Sequence, residues 1–168
     1  MTTRLLMAGV LAGLIVSSPA FAQDKASQKF LKEAMEGNLA EVQMGQLAQK
    51  NGGSDRVRSF GQMLQKDHSD AYEKAKSAAN SLGMSPPNAP NSKQKAMYDR
   101  MSKLSGENFD RQFAKDMVED HKKDIKAYEK EAKKNDAAGA YAKEALPTLH
   151  KHLDTAQSLS GAATTGKR

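Results

Sequence analysis

Four long stretches of this chain repeat their apolar side chains every three to four residues, roughly Ser27 to Asn51, Ser54 to Leu82, Glu107 to Lys134 and Asp136 to Ser160. That period places each apolar set along one side of a helix, where burial requires another helix to pack against it. No stretch shows the period of two that a half-buried strand needs. Aromatic residues make up only 5% of the chain and Trp is absent, while Ala, Lys, Gln, Glu, Met and Leu dominate, which favours helix over strand. Cysteine is absent as well, so no disulfide holds the fold and no thiolate is available as nucleophile or metal ligand. The expected fold class is all-α, a four-helix bundle stabilised by packing alone.

The breaks between stretches set the topology. Asn51-Gly52-Gly53 ends the first helix, and Ser54 followed by Asp55 reads as the N-cap of the second, so these two form a tight antiparallel hairpin. Asn135-Asp136 marks a second hairpin between the last two. From Gly83 to Asn91 the residues Pro86, Pro87 and Pro90 remove backbone donors and bias their predecessors toward extended conformations. Ser92 to Leu104 then reads as a short extra helix inside this long proline-rich connection. Pro147 is expected to kink the last helix or start a fresh segment. Gly161 to Arg168 reads as a disordered tail.

Residues 1–22 read as a cleavable signal peptide rather than as part of the fold. Arg4 supplies the positive end, Leu5 to Val16 the apolar run, and Ala20-x-Ala22 the small-residue cleavage site, so the expected domain spans 23–160 in a periplasmic or extracellular space. The apolar run is too short to read as a membrane span, and nothing after it resembles one. Loss of Arg4 takes the formal charge from +6 to +5. The two signs are interspersed, as in Glu129-Lys130-Glu131, which describes a solvated helix surface rather than a nucleic-acid groove. A weak attraction to anionic envelope surfaces is compatible with that charge.

Polar residues interrupt the apolar stripes at one level. On the first helix the stripe runs Phe30, Ala34, Gly37, Glu41, Met44, Gly45, Ala48; on the second, Val57, Gly61, Leu64, His68, Ala71, Ala75; on the third, Phe113, Met117, His121, Ile125, Tyr128. On the fourth, Leu146, Leu149, Leu153 and Ala156 form the stripe, with His150 and His152 at its two edges. Counted from the hairpins, Glu41, His68, His121 and His152 lie about 11 to 16 residues in, roughly 17 to 25 Å along their helices. A carboxylate on an apolar face needs donors, and the imidazoles at its depth are placed to supply them. The candidate metal-ligating set is therefore Glu41, His68, His121 and His152, with His150 outside it. The same cluster read without a metal is a buried hydrogen-bond network. Asp67 and Asp120 point about 100° away from the histidines they precede, which suits groups behind or beside the ligands. Asp110 and Asp124 are weaker candidates on the inward side of the third helix. Met35, Met44, Met63 and Met117 read as core filler rather than copper ligands.

Four ordered blocks carry a resemblance: Glu41-Val42-x-x-Gly45-x-Leu47-Ala48; Val57-Arg58-x-Phe60 with Met63-x-x-x-Asp67-His68; Phe109-Asp110 with Met117-Val118-x-x-His121; and Leu146-Pro147-x-Leu149-x-x-His152-Leu153. Over Gln28 to Leu159 the chain resembles the exported, ferritin-like bacterial family catalogued as domain of unknown function number 4142. The resemblance implies a ferritin-like four-helix bundle and marks Glu41, Asp67, His68, Asp110, His121 and His152 as motif positions; it implies no activity. Di-iron carboxylate proteins carry Glu-x-x-His on two helices. Here Gln65, Val118 and Leu149 stand three residues before the histidines, which argues against a di-iron centre and for a mononuclear, nitrogen-rich site for Zn, Cu or Fe. Three function classes follow: a metal-binding or structural protein of the envelope, a metal-dependent redox or hydrolytic enzyme using the same cluster, or an interaction protein with no metal.

Overall fold

The computed structural model describes residues 19–165, with side chains from 25 to 161. Most of the expected signal peptide, residues 1–18, lies outside the described residues, as do residues 166–168 of the expected tail. Five helices follow one another: α1 Pro19–Asn51, α2 Asp55–Ser81, α3 Ser92–Met101, α4 Gly106–Glu131 and α5 Ala137–Thr165. The described residues contain no strand, and no helix among them is long and apolar enough to cross a membrane. The fold is all-α. α5 stays helical to Thr165, past the Gly161 at which the sequence places the start of a tail, and it passes through Pro147 without restarting.

The ends of the helices form for local reasons. Ser54 has the extended backbone of an N-cap and its hydroxyl accepts from the Val57 N–H, while Asn91 and Gln94 form a capping box at the start of α3. α2 stops at a Schellman turn in which Gly83 N–H donates to Asn80 and Met84 N–H to Ala79. Gly83 has φ +67°, where a side chain would be strained.

α1 packs along α2 and α4 along α5, while α2 lies on α5 and α1 on α4; the short α3 sits against α1 and α4. The α1–α2 approach is unusually close. A Cβ added at Gly45 would stand 2.5 Å from the Gly61 carbonyl oxygen, and one at Gly61 2.6 Å from that of Gly45, so only glycine allows this contact. The end of this pair is tied to α4 by Asp110, whose two carboxylate oxygens accept from Gly53 N–H at 2.8 Å and Ser54 N–H at 2.9 Å.

The apolar core is split in two. One cluster gathers Met44, Leu64, Phe60, Phe113, Met117 and Ala156; the other gathers Met35, Ala75, Ile125, Tyr128, Tyr141 and Leu149. On every long helix the boundary between them is polar: Asn38 and Glu41 on α1, His68 on α2, His121 on α4 and His152 on α5, all buried. Of the side chains expected in the core, Val57, Leu64, Ala75, Phe113, Met117, Ile125 and Leu149 are buried, whereas Leu153 is only partly so.

Candidate metal centre

The three helices α2, α4 and α5 deliver His68, His121 and His152 to one point. One ring nitrogen from each lies within 4.8 Å of the other two, and the rings are 5, 2 and 0% exposed respectively. Ring centroids are 5.1 to 5.8 Å apart. His121 Nε2 and His152 Nδ1 are 3.3 Å apart. Two ligands of a tetrahedral ion, each about 2.0–2.1 Å from it, stand roughly 3.3–3.4 Å from each other.

What surrounds the rings assigns their protons. His68 Nδ1 is 2.9 Å from the Asn38 side-chain oxygen, which only accepts; Asn38 is held in that orientation because its amide nitrogen donates to the Tyr141 hydroxyl at 3.0 Å. His121 Nδ1 is 2.9 Å from the Met117 carbonyl, another pure acceptor. His152 Nε2 is 3.0 Å from the Asp67 carboxylate. Each ring therefore donates outward, and the nitrogens left over, His68 Nε2, His121 Nε2 and His152 Nδ1, carry lone pairs. His68 Nε2 is buried without a hydrogen-bond partner among the described residues. Burial holds all three rings below the ordinary imidazole range, reinforced for His68 by His152 and His121. His121 is pushed down to about 4, and for His152 the neighbouring Asp67 works in the opposite direction. At neutral pH the rings are neutral, so the short His121–His152 contact holds no proton to share. A buried acceptor without a donor costs roughly 1–3 kcal/mol, and a cation is the partner that three converging lone pairs accept.

Glu41 is buried on α1 but is not one of this set. Its Oε2 has no partner among the described residues, and Glu41 lies with His68, Asp120 and Asp124 on the wall of a cavity of about 460 Å³ between α1, α3 and α4. Burial, and then the nearby Asp120 and Asp124, hold its carboxyl well above the usual carboxylate range. Burial and Asp120 likewise push Asp124 up to about 6. A smaller cavity of about 130 Å³ reaches His68 and His152 from the α2–α5 side.

The remaining sequence candidates separate cleanly. Asp67 orients His152 across the helix interface, Asp110 on α4 accepts from the first hairpin and lies outside the centre, and His150 is exposed. His152 itself corrects the sequence reading of α5. It is fully buried at the centre of a face built from Ala138, Tyr141, Ala142, Leu149, Ala156 and Leu159, not at the edge of a leucine stripe. Of the four methionines read as core filler, Met35, Met44 and Met117 are buried in the two apolar clusters, and Met63 is partly buried against the first of them. Sequence reasoning missed Asn38 and Tyr141. The signal for Asn38 was present: an amide on the same face as Ala34, Glu41 and Gly45 is as anomalous there as the carboxylate.

The fold and this cluster define an all-helical protein whose core is divided by a buried three-histidine layer. A family model described as Domain of unknown function (DUF4142) matches residues 16–159, and the chain belongs to that family, the one its motif blocks resemble. No curated protein and no solved structure matches the chain.

Proposed function

We propose that this is an exported, ferritin-like four-helix-bundle protein that binds one transition-metal ion, Zn, Cu or Fe, through His68, His121 and His152, with a role in metal handling or stress in the envelope. The observation that carries the reading is the tautomer pattern. All three outward nitrogens are committed to acceptors, and all three inward nitrogens meet with no proton between them. Neutral imidazole nitrogens suit these three metals, and hydrogen bonds behind the ligands are what metal-binding histidines use to fix their tautomer. The bundle reading is supported by the ring of helix contacts, α1 on α2, α2 on α5, α5 on α4 and α4 on α1, and by the proline-rich segment between α2 and α3. Export rests on the character of residues 1–22.

Calorimetric titration of the metal-free protein with Zn²⁺ and Cu²⁺ tests the proposal. One equivalent binds to the wild type, His68→Ala loses most of the affinity, and the exposed His150→Ala retains it. A titration without heat, with an unchanged melting temperature in both metals, means that the cluster is only a polar network. A second reading, a metal-dependent redox or hydrolytic enzyme, is favoured by the two cavities that reach His68, because three protein ligands leave a tetrahedral ion one open position. Turnover of peroxide or superoxide by metal-loaded protein, abolished in His68→Ala, distinguishes the enzyme from the binder.

A further inference from the structure

The histidine centre is sealed: none of its three side chains is more than 5% exposed, so an ion needs a route in. The two cavities that reach it differ in their acids. On the smaller one, Glu144 is paired with Lys74, Asp70 with Lys66, and Asp67 with the His152 ring. On the larger one, Glu33 is paired with Lys29, but Glu41, Asp120 and Asp124 make no ion pair among the described residues; Lys93 and Lys123 also line it, and Lys123 acts on both aspartates only at longer range. Two of the three buried side-chain atoms that lack a partner among the described residues, Glu41 Oε2 and His68 Nε2, lie on residues lining this same cavity. Glu41 is 92% buried, at 8% exposure, so its lone oxygen is not there for solubility. Asp120 and Asp124 lie one turn apart on α4, on one face of it.

We infer that this carboxylate-walled cavity is a second cation-binding site, a way station at which a hydrated divalent metal ion is held before it passes His68 to the three-histidine centre. The inference rests on the metal-binding reading of the preceding subsection. Its chemistry is that of hard oxygen donors and retained water. Among the described residues the carboxylate oxygens do not converge into a compact chelating set, whereas the histidine nitrogens do. A cavity of about 460 Å³ has room for an ion with its water shell, and the loose oxygen set holds such an ion weakly enough to release it. The nitrogen set strips that shell and keeps the ion. The Asp120 and Asp124 carboxylates, and Glu41 once a cation displaces its proton, share this low-dielectric cleft with Lys93 and Lys123; carboxylate charge in such a cleft raises the local concentration of cations, and steering of this kind alters association rates by 10- to 1,000-fold.

The test separates rate from affinity. Metal-free protein is mixed with Co²⁺ in a stopped-flow spectrometer, loading is followed by the visible bands of four-coordinate cobalt, and affinity is measured separately by chelator competition. The double variant Glu41→Gln/Asp124→Asn, nearly isosteric, is expected to load on the order of tenfold more slowly, with less dependence on salt, while its Kd stays within about threefold of wild type. Glu107→Gln, which removes one negative charge from an exposed side chain at the start of α4, leaves the rate unchanged. A double variant that loads at the wild-type rate overturns the inference and leaves the metal centre standing. So does one whose affinity falls with its association rate intact, since Glu41 would then be a ligand. No Co²⁺ uptake by the wild type overturns both. A second measurement works without the histidine centre: in His152→Ala protein, Mn²⁺ should broaden the amide resonances of Gln94, Tyr98 and Asp124, and in His152→Ala/Glu41→Gln it should not. Equal broadening in both overturns the way station.

Discussion

Replacing Asp67 by Asn changes one charge behind one ligand and nothing in the ligand set. The Asp67 carboxylate accepts from His152 Nε2 at 3.0 Å, and its side chain is only 21% exposed. That bond keeps the His152 proton on the outer nitrogen, so that Nδ1 faces His121 and His68 with its lone pair. Asn keeps an acceptor of similar shape but loses the charge, and its amide NH₂ competes for the same position. A charge-assisted hydrogen bond contributes about 1.5–3 kcal/mol and a neutral one about 1 kcal/mol, so the difference is about 0.5–2 kcal/mol. Loss of groups that orient metal ligands costs 10- to 100-fold in affinity, in the same range. The assay is competition for Zn²⁺ against a chelator of known affinity at pH 7.5, with the melting temperature of the metal-free protein as the control for folding. The expected result is on the order of tenfold weaker binding in Asp67→Asn with a small change in the metal-free melting temperature. Unchanged affinity in Asp67→Asn, in a protein whose His68→Ala variant does lose metal, would refute the argument that the outer hydrogen bond sets the His152 tautomer.

Asp124 is held up to about 6 by burial, so it contributes stability below its unfolded value near 3.8 and loses that contribution as the pH rises through about 6. Asp124→Asn should therefore match or trail the wild type at pH 4 and exceed it at pH 7.5 by up to about 3 kcal/mol in denaturant melts of metal-free protein; a gain that does not grow between those pH values contradicts the assignment. Protons should compete poorly with metal at this centre, since His121 is pushed down to about 4. Zn²⁺ affinity should accordingly change little from pH 8 to 6.5 and fall steeply only toward pH 4, whereas a loss centred at the ordinary imidazole value would mean solvent-exposed ligands. Asp110→Ala removes the acceptor of two backbone N–H groups at the first hairpin and should lower stability by about 1–3 kcal/mol without altering metal affinity; a matching loss of affinity would place Asp110 in the centre.

Helix positions were legible from the sequence because one period and a few caps determine them: the Ser54 cap, the stop near Leu82 and the break at residues 83–91 all fall where expected. The depth of Glu41, His68, His121 and His152 was legible for the same reason. What a single-helix projection cannot supply is the partner across an interface. Asp67 does point away from His68, as its 100° offset requires, but that direction leads to α5 and to His152. The face of α5 was misjudged because hydrophobicity weights leucine above alanine. The helices approach most closely where side chains are small, so Ala138, Ala142 and Ala156 lie at the centre and Leu146 and Leu153 on the flanks. Glu41 was expected to take its donors from the imidazoles, yet those rings turn lone pairs inward and have none to give. Glu41 lines a cavity instead.

The central claim is that three neutral imidazoles share one ion, and X-ray absorption at the zinc edge measures this directly. In protein loaded with one equivalent of Zn²⁺, three imidazole nitrogens at about 2.0–2.1 Å should scatter around the metal, falling to two in His152→Ala. A first shell of oxygen alone, or one that is the same in wild type and His152→Ala, would contradict the account.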